Sequence, residues 1–101
     1  MQITVSPQIM RRLTAAEGYL ELGMPAYALD ELESVNDAGP FQAVVDFMKG
    51  EALKSQERYS DAITALRRAV QTMPPPHNQR VLNTLNECLQ LDEIEETDET
   101  S

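Results

Sequence analysis

Glu17 and Glu51 are the two residues of this chain whose type and spacing could do chemistry together. Two carboxylates facing one space can act as general acid and general base. That chemistry also needs a nucleophile or a substrate cradle, and no pattern around either residue supplies one. The same pair could instead receive a partner's Lys or Arg, or simply face water. Cys88 is the one cysteine, which excludes an internal disulfide and a two-cysteine redox motif. It falls on an apolar helical stripe and reads as a buried structural thiol. His77 adjoins Pro74, Pro75 and Pro76 and reads as a surface residue at a helix start. One Cys and one His do not make the spaced set a metal requires. No phosphate-binding glycine loop is present. Catalysis, cofactors, metals and small-molecule substrates are therefore not expected.

The elements that must position the two glutamates follow from their separation. Moved by 34 residues, Glu17 falls on Glu51, Ala28 on Ala62, Leu32 on Leu66 and Pro40 on Pro74. Ala16 meets Gly50, Tyr19 meets Leu53, and Val35 meets Ala69. That period holds two antiparallel helices and their turns, the signature of a helical repeat. Ser6-Pro7 opens the first helix, because Ser accepts from free N–H groups and Pro at the first position loses no internal bond. Ile9, Leu13, Ala16, Tyr19, Leu20 and Leu22 then keep helical spacing. Gly23-Met24-Pro25 breaks the run. Ala28, Leu29, Leu32 and Val35 mark a second helix, stopped by Asn36-Asp37-Ala38-Gly39-Pro40.

A second cycle begins near Phe41, with Val44, Val45, Phe47, Met48, Ala52 and Leu53 on its first helix. Glu57-Arg58-Tyr59-Ser60 is the turn, with Ser60 as expected cap. Ala62, Ile63, Leu66, Ala69 and Val70 mark the next helix, and Met73-Pro74-Pro75-Pro76 ends it. A fifth helix is predicted over about 77–91. Val81, Leu82, Leu85, Cys88, Leu89 and Leu91 form its apolar side, and Arg80 and Glu87 are among the residues left for water. The fold class expected is all-α, an αα-superhelix of two helix pairs closed by a capping helix.

With 101 residues the chain forms one domain, able to close an apolar core without metal or disulfide. The net charge of -9 is unevenly placed. Residues 92–101 carry six acids and no base, which leaves 11 acids against 8 bases in residues 1–91. The domain proper is thus 1–91, and 92–101 reads as an acidic disordered tail with little apolar area to offset ordering. Nucleic acid and anionic membranes are not expected partners, because both draw on clustered Lys and Arg. No apolar run approaches a bilayer span, and no secretory signal is evident, so a cytoplasmic location is expected.

The pattern resembles the tetratricopeptide family. Gly23-Met24-Pro25-Ala26-Tyr27-Ala28 and Glu57-Arg58-Tyr59-Ser60-Asp61-Ala62-Ile63 carry the resemblance. With repeats at 9–42 and 43–76, the family's small, large and proline positions become Ala16/Gly50, Tyr19/Leu53, Ala28/Ala62, Leu32/Leu66 and Pro40/Pro74. Gly23 keeps the family's turn glycine, and Glu57 departs from it. Arg12 and Asp46 stand where an early large aromatic is usual.

The resemblance implies a right-handed superhelix whose concave side is lined by the first helix of each cycle. Carried onto this chain, the groove positions are Met10, Leu13, Glu17 and Leu20, then Val44, Phe47, Glu51 and Lys54. Asn78, Val81 and Leu85 of the capping helix join them. Such a face suits a peptide or an amphipathic helix. The clamp that some members use for acidic peptide ends places Lys, Arg and Asn on the groove. Here the corresponding positions hold Leu13, Thr14, Glu17, Phe47, Met48 and Glu51, which disfavour a free carboxylate. The expected function is a non-enzymatic adaptor or chaperone-like module that binds another protein or peptide. The alternative is a small structural or homo-oligomerisation module, with the groove covered by a second copy or by Ile3 and Val5.

Close helix crossing puts a size limit on the small positions. Ala62→Leu should lower stability by about 1–3 kcal/mol through overpacking, read from the urea unfolding midpoint.

Overall fold

The computed structural model describes residues 6–35 and 37–99, with side chains through residue 94. Five helices follow in order: α1 Pro7–Glu21, α2 Pro25–Glu33, α3 Gln42–Ser55, α4 Tyr59–Thr72 and α5 Gln79–Glu99. A single 3-10 turn, Gly39–Phe41, precedes α3. The described residues contain no strand, so the fold is all-α, as the spacing predicts. None of the helices is long and apolar enough to cross a membrane. Ile3 and Val5 lie outside the described residues.

The helix starts follow local chemistry. Ser6 Oγ accepts from the Gln8 N–H at 3.2 Å, and Pro7 opens α1. Pro25 likewise opens α2. Ser60 is not the cap of α4: the helix begins one residue earlier, at Tyr59, with Arg58 in the capping position. Arg58 instead reaches forward to Asp61 at 2.9 Å, holding an acid in the first turn where the helix dipole favours it. Pro74 stops α4 after Thr72.

The 34-residue period is written into the backbone as well as the side chains. Met24 N–H donates to the Tyr19 carbonyl at 2.8 Å, and Arg58 N–H to Leu53 at 2.9 Å. Gly23 donates to Leu20 and Glu57 to Lys54; Leu22 donates to Gly18 and Gln56 to Ala52; Ala28 donates to Met24 and Ala62 to Arg58. Each bond of the first turn has its partner one period later. Gly23 takes φ 71° and Glu57 φ 59°, so both turns pass through the left-handed region. Glycine reaches that region freely, whereas a side chain there costs about 1–2 kcal/mol. The second turn keeps the shape of the first without its glycine.

Packing follows the same repeat. Ala16 and Gly50, Ala28 and Ala62, Leu29 and Ile63, Leu32 and Leu66, and Val35 and Ala69 are all buried. Tyr19 and Leu53 are half-buried, and Pro40 and Pro74 lie exposed in the connections. Each helix packs on the next in the chain. The first helices also meet, α1 with α3 and α3 with α5, whereas α1 and α4 do not approach among the described residues. That is an open stack and not a closed four-helix bundle, and it is elongated, 56 × 29 × 20 Å. Two apolar clusters fill it. One is built on Leu13, Ala16, Leu32 and Val45, the other on Ala62, Leu66, Val81 and Cys88.

The tightest approach at Gly50 is to Leu66: a methyl on Gly50 would lie 2.5 Å from Leu66 Cγ and Cδ2. One further expectation changes. The capping helix does not end near 91, because α5 continues to Glu99. No Gly or Pro interrupts residues 79–99, and Glu is a good helix former, so the segment placed in a disordered tail is helical through Glu99. Finally, Asp46 is buried where an aromatic is usual in the family the chain resembles. Gln42 Nε2 donates to its Oδ1 at 3.4 Å, and the Arg68 guanidinium of α4 lies 3.9 Å away. Arg12, the other departure, pairs with Glu31 of α2 at 3.4 Å.

The glycines give an internal control. Gly50→Ala should lower stability by about 1–3 kcal/mol, because the buried Leu66 cannot yield without strain. Gly18, also within a helix, has nothing within 4 Å of an added methyl. Gly18→Ala should raise stability by about 0.5–1 kcal/mol through helix propensity. Urea midpoints of the two variants should therefore move in opposite directions.

Candidate functional site

One face of α3 carries Val44, Phe47, Met48 and Glu51, spaced three and four apart so that they share one side. The neighbouring face of α1 carries Glu17, Leu20 and Glu21. With Arg80 of α5 these seven residues line a cleft of about 400 Å³. The apolar side chains of Leu20, Val44, Phe47 and Met48 contribute to its lining, and Glu17, Glu21, Glu51 and Arg80 carry its charges. A smaller depression of about 210 Å³ shares Leu20 and Glu51 with it and adds Lys54 and Ser55.

Five of the groove positions carried over from the resemblance therefore meet in one place: Glu17, Leu20, Val44, Phe47 and Glu51. Lys54 joins Leu20 and Glu51 in the adjoining depression. Met10 is exposed and lines neither. Leu13, Val81 and Leu85 are corrected: they are core residues, at 5%, 1% and 9% exposure. Leu13 belongs to the stripe with Ala16 that packs into the first cluster. On α5 the register differs. By the period α4 would end at residue 67, matching Glu33 of α2, but it runs to Thr72. Val81, Leu85 and Cys88 of α5 lie in the second cluster, and Arg80 lines the cleft. Asn78 lies half-buried in the turn before α5.

Arg80 and Glu87 are not simply left to water. The Arg80 guanidinium lies 5.3 Å from the Phe47 ring centroid and 3.7 Å from Glu51 Oε2. Glu87 pairs with Lys54. Two charge pairs thus tie α5 to α3 across the edge of the site. Periodicity carries no signal for either, because a cross-helix pair depends on register between elements and not on spacing within one. Partial burial raises the Glu51 carboxyl above its ordinary 4.5, and Arg80 and then Lys54 pull against that rise without cancelling it. Glu17 and Glu21 carry no ion pair among the described residues.

The other candidates stay apart from the cleft. Cys88 is fully buried in the second cluster, and burial pushes its thiol pKa up, which keeps it protonated and unreactive. His77 is exposed in the turn before α5. Among the described residues no three His, Cys, Asp or Glu side chains are grouped to hold a metal. Tyr19 and Tyr27 stack at 5.4 Å between ring centroids. Beside them the first turn exposes Leu22, Met24 and Tyr27, Leu22 to 72%. One period on, the same positions hold Gln56, Arg58 and Asp61, whose side chains bond to one another. The apolar tip is thus peculiar to the first repeat.

The chain matches no protein-family model, no curated protein and no solved structure. What the cleft can do chemically rests on its own residues. The partly buried carboxyl of Glu51 gives one direct check. With its folded pKa above 4.5, Glu51 contributes stability that is present below 4.5 and lost as pH rises through the raised value. Glu51→Gln should therefore raise the urea midpoint at neutral pH, and the gain over the parent chain should close as pH falls below 4.5.

Proposed function

We propose that this chain is a non-enzymatic protein-interaction module of tetratricopeptide type, adaptor or chaperone-like, that binds a peptide or an amphipathic helix in the α1–α3–α5 cleft. The observation that carries this reading is the partly apolar cleft running across three successive first helices of an open stack. Such a concave face, repeated by stacking, is the common binding surface of solenoid proteins. The 34-residue repetition of side chains and backbone bonds supports the family resemblance. Each apolar anchor covered by a partner contributes roughly 1.5–3 kcal/mol before association costs. Two or three anchors on Val44, Phe47 and Leu20 then support micromolar binding.

Self-association is the second reading, favoured by the exposed Leu22, Met24 and Tyr27 at the first turn. Exposed apolar groups clustered on one tip mark contact surfaces more often than scattered ones do. Light scattering on the parent chain and Leu22→Glu separates the two. A dimer dissolved by Leu22→Glu supports self-association, and a strict monomer at high concentration rejects it.

The cleft reading is tested by affinity capture from native extract. Glu17→Lys/Val44→Asp should lose a protein that the parent chain retains, while circular dichroism and the unfolding midpoint stay close to the parent. Retention of the same proteins by both would reject the cleft as the binding site.

A further inference from the structure

Resting on the interaction-module reading, we propose that the cleft takes a cationic amphipathic helix, and that Arg80 stands in advance where that helix sets one of its Arg or Lys side chains. Three observations lead there. Glu17 and Glu21 hold two carboxylates at the cleft with no ion-pair partner among the described residues. Glu51 adds a third. Its cleft-side cation is Arg80, a side chain 77% exposed and 3.7 Å from the carboxylate. Three acids against one base, on a chain of net charge -9, draw cationic partners in and turn acidic ones away.

Arg80 shows what the cleft accepts. Its guanidinium sits over the Phe47 ring and beside Glu51, the arrangement that suits a cation between an aromatic face and a carboxylate. An exposed pair of this kind is weakly held, so an incoming cation can replace it. Release of Arg80 uncovers the Phe47 ring for an apolar side chain of the same partner.

The cleft also discriminates between backbone forms. An extended peptide brings free N–H and C=O groups that need partners. The described residues offer no strand edge to pair with them, and the polar lining is three carboxylates and one guanidinium. A helix satisfies its own backbone and presents side chains alone. The occupant is therefore a helix with an apolar stripe for Leu20, Val44, Phe47 and Met48, flanked by Lys or Arg for Glu17, Glu21 and Glu51.

The test uses the full chain and two fluorescein-labelled synthetic helices of five turns with the same leucine stripe. One carries Arg and Lys beside the stripe, the other Glu. Fluorescence anisotropy should show the cationic helix binding at about 10⁻⁶ M, weakening as salt is raised, and at least about tenfold tighter than the acidic one. Glu17→Lys/Glu21→Lys, both at exposed positions, should weaken the cationic helix about tenfold or more. Arg80→Ser should tighten it several-fold, because the internal competitor is gone. Equal or tighter binding of the acidic helix, or a loss of affinity in Arg80→Ser, overturns the charge assignment. If that acidic binding is itself abolished by Val44→Asp, the interaction-module reading stands while the cationic occupant falls. Failure of both helices to bind, or binding indifferent to Val44→Asp, rejects the occupant and the cleft together. Circular dichroism on each variant confirms that a lost signal reflects the surface and not unfolding.

Discussion

The molecule depends on the absence of a side chain at residue 50. Leu66, fully buried, occupies the space where a methyl on Gly50 would stand, so the side chain of α4 packs directly onto the backbone of α3. That contact fixes the rotation of α3 about its own axis. Val45, Asp46, Gly50 and Ala52 are committed to the interior, and Val44, Phe47, Met48 and Glu51 are left for the opposite face. Turning α3 by the angle between adjacent residues would bury the cleft lining and expose the core. The equivalent position in the first cycle holds Ala16, also buried, so the first pair of helices accepts a methyl where the second does not.

Charge completes what packing begins. Asp46 is carried inside by the α3 rotation and is met by Gln42 from its own helix and Arg68 from α4. Gln42 also accepts from the Ala38 N–H at 3.2 Å, which links the connection before α3 to the same network. A buried carboxylate without such partners would be costly; among the described residues no buried side-chain polar atom lacks one. On the other face Glu51 is only partly buried and only loosely paired. The two acids of α3 thus divide the labour between holding the stack and facing the cleft.

Much of this was legible in the residues. Small positions at 16, 28, 50 and 62 and large ones at 32 and 66 announce the repeat, because helix crossings filter side-chain size strictly. Gly23 and Pro25 announce the first turn. Glu57 hides the second, since nothing in a glutamate signals a left-handed backbone, yet its φ matches that of Gly23. The positions assigned on α3, Val44, Phe47 and Glu51, lie together in the cleft, because one helix face suffices to group them. Leu13 on α1 and Val81 and Leu85 on α5 fall instead in the core, because a position's depth depends on the helices packed against it and not on spacing within its own helix. Arg80 escaped notice for the same reason: its significance lies in Phe47 and Glu51, on another helix. The acidic composition of residues 92–101 points to disorder, but no Gly or Pro interrupts residues 92–99 and they continue the helix already under way.

Leu53 is half-buried and packs against both apolar clusters, the only partly buried residue common to the two among those described. Leu20 and Met48 of the cleft belong with the first cluster, and Phe47 with the second. The cleft therefore straddles a seam between two blocks of packed side chains.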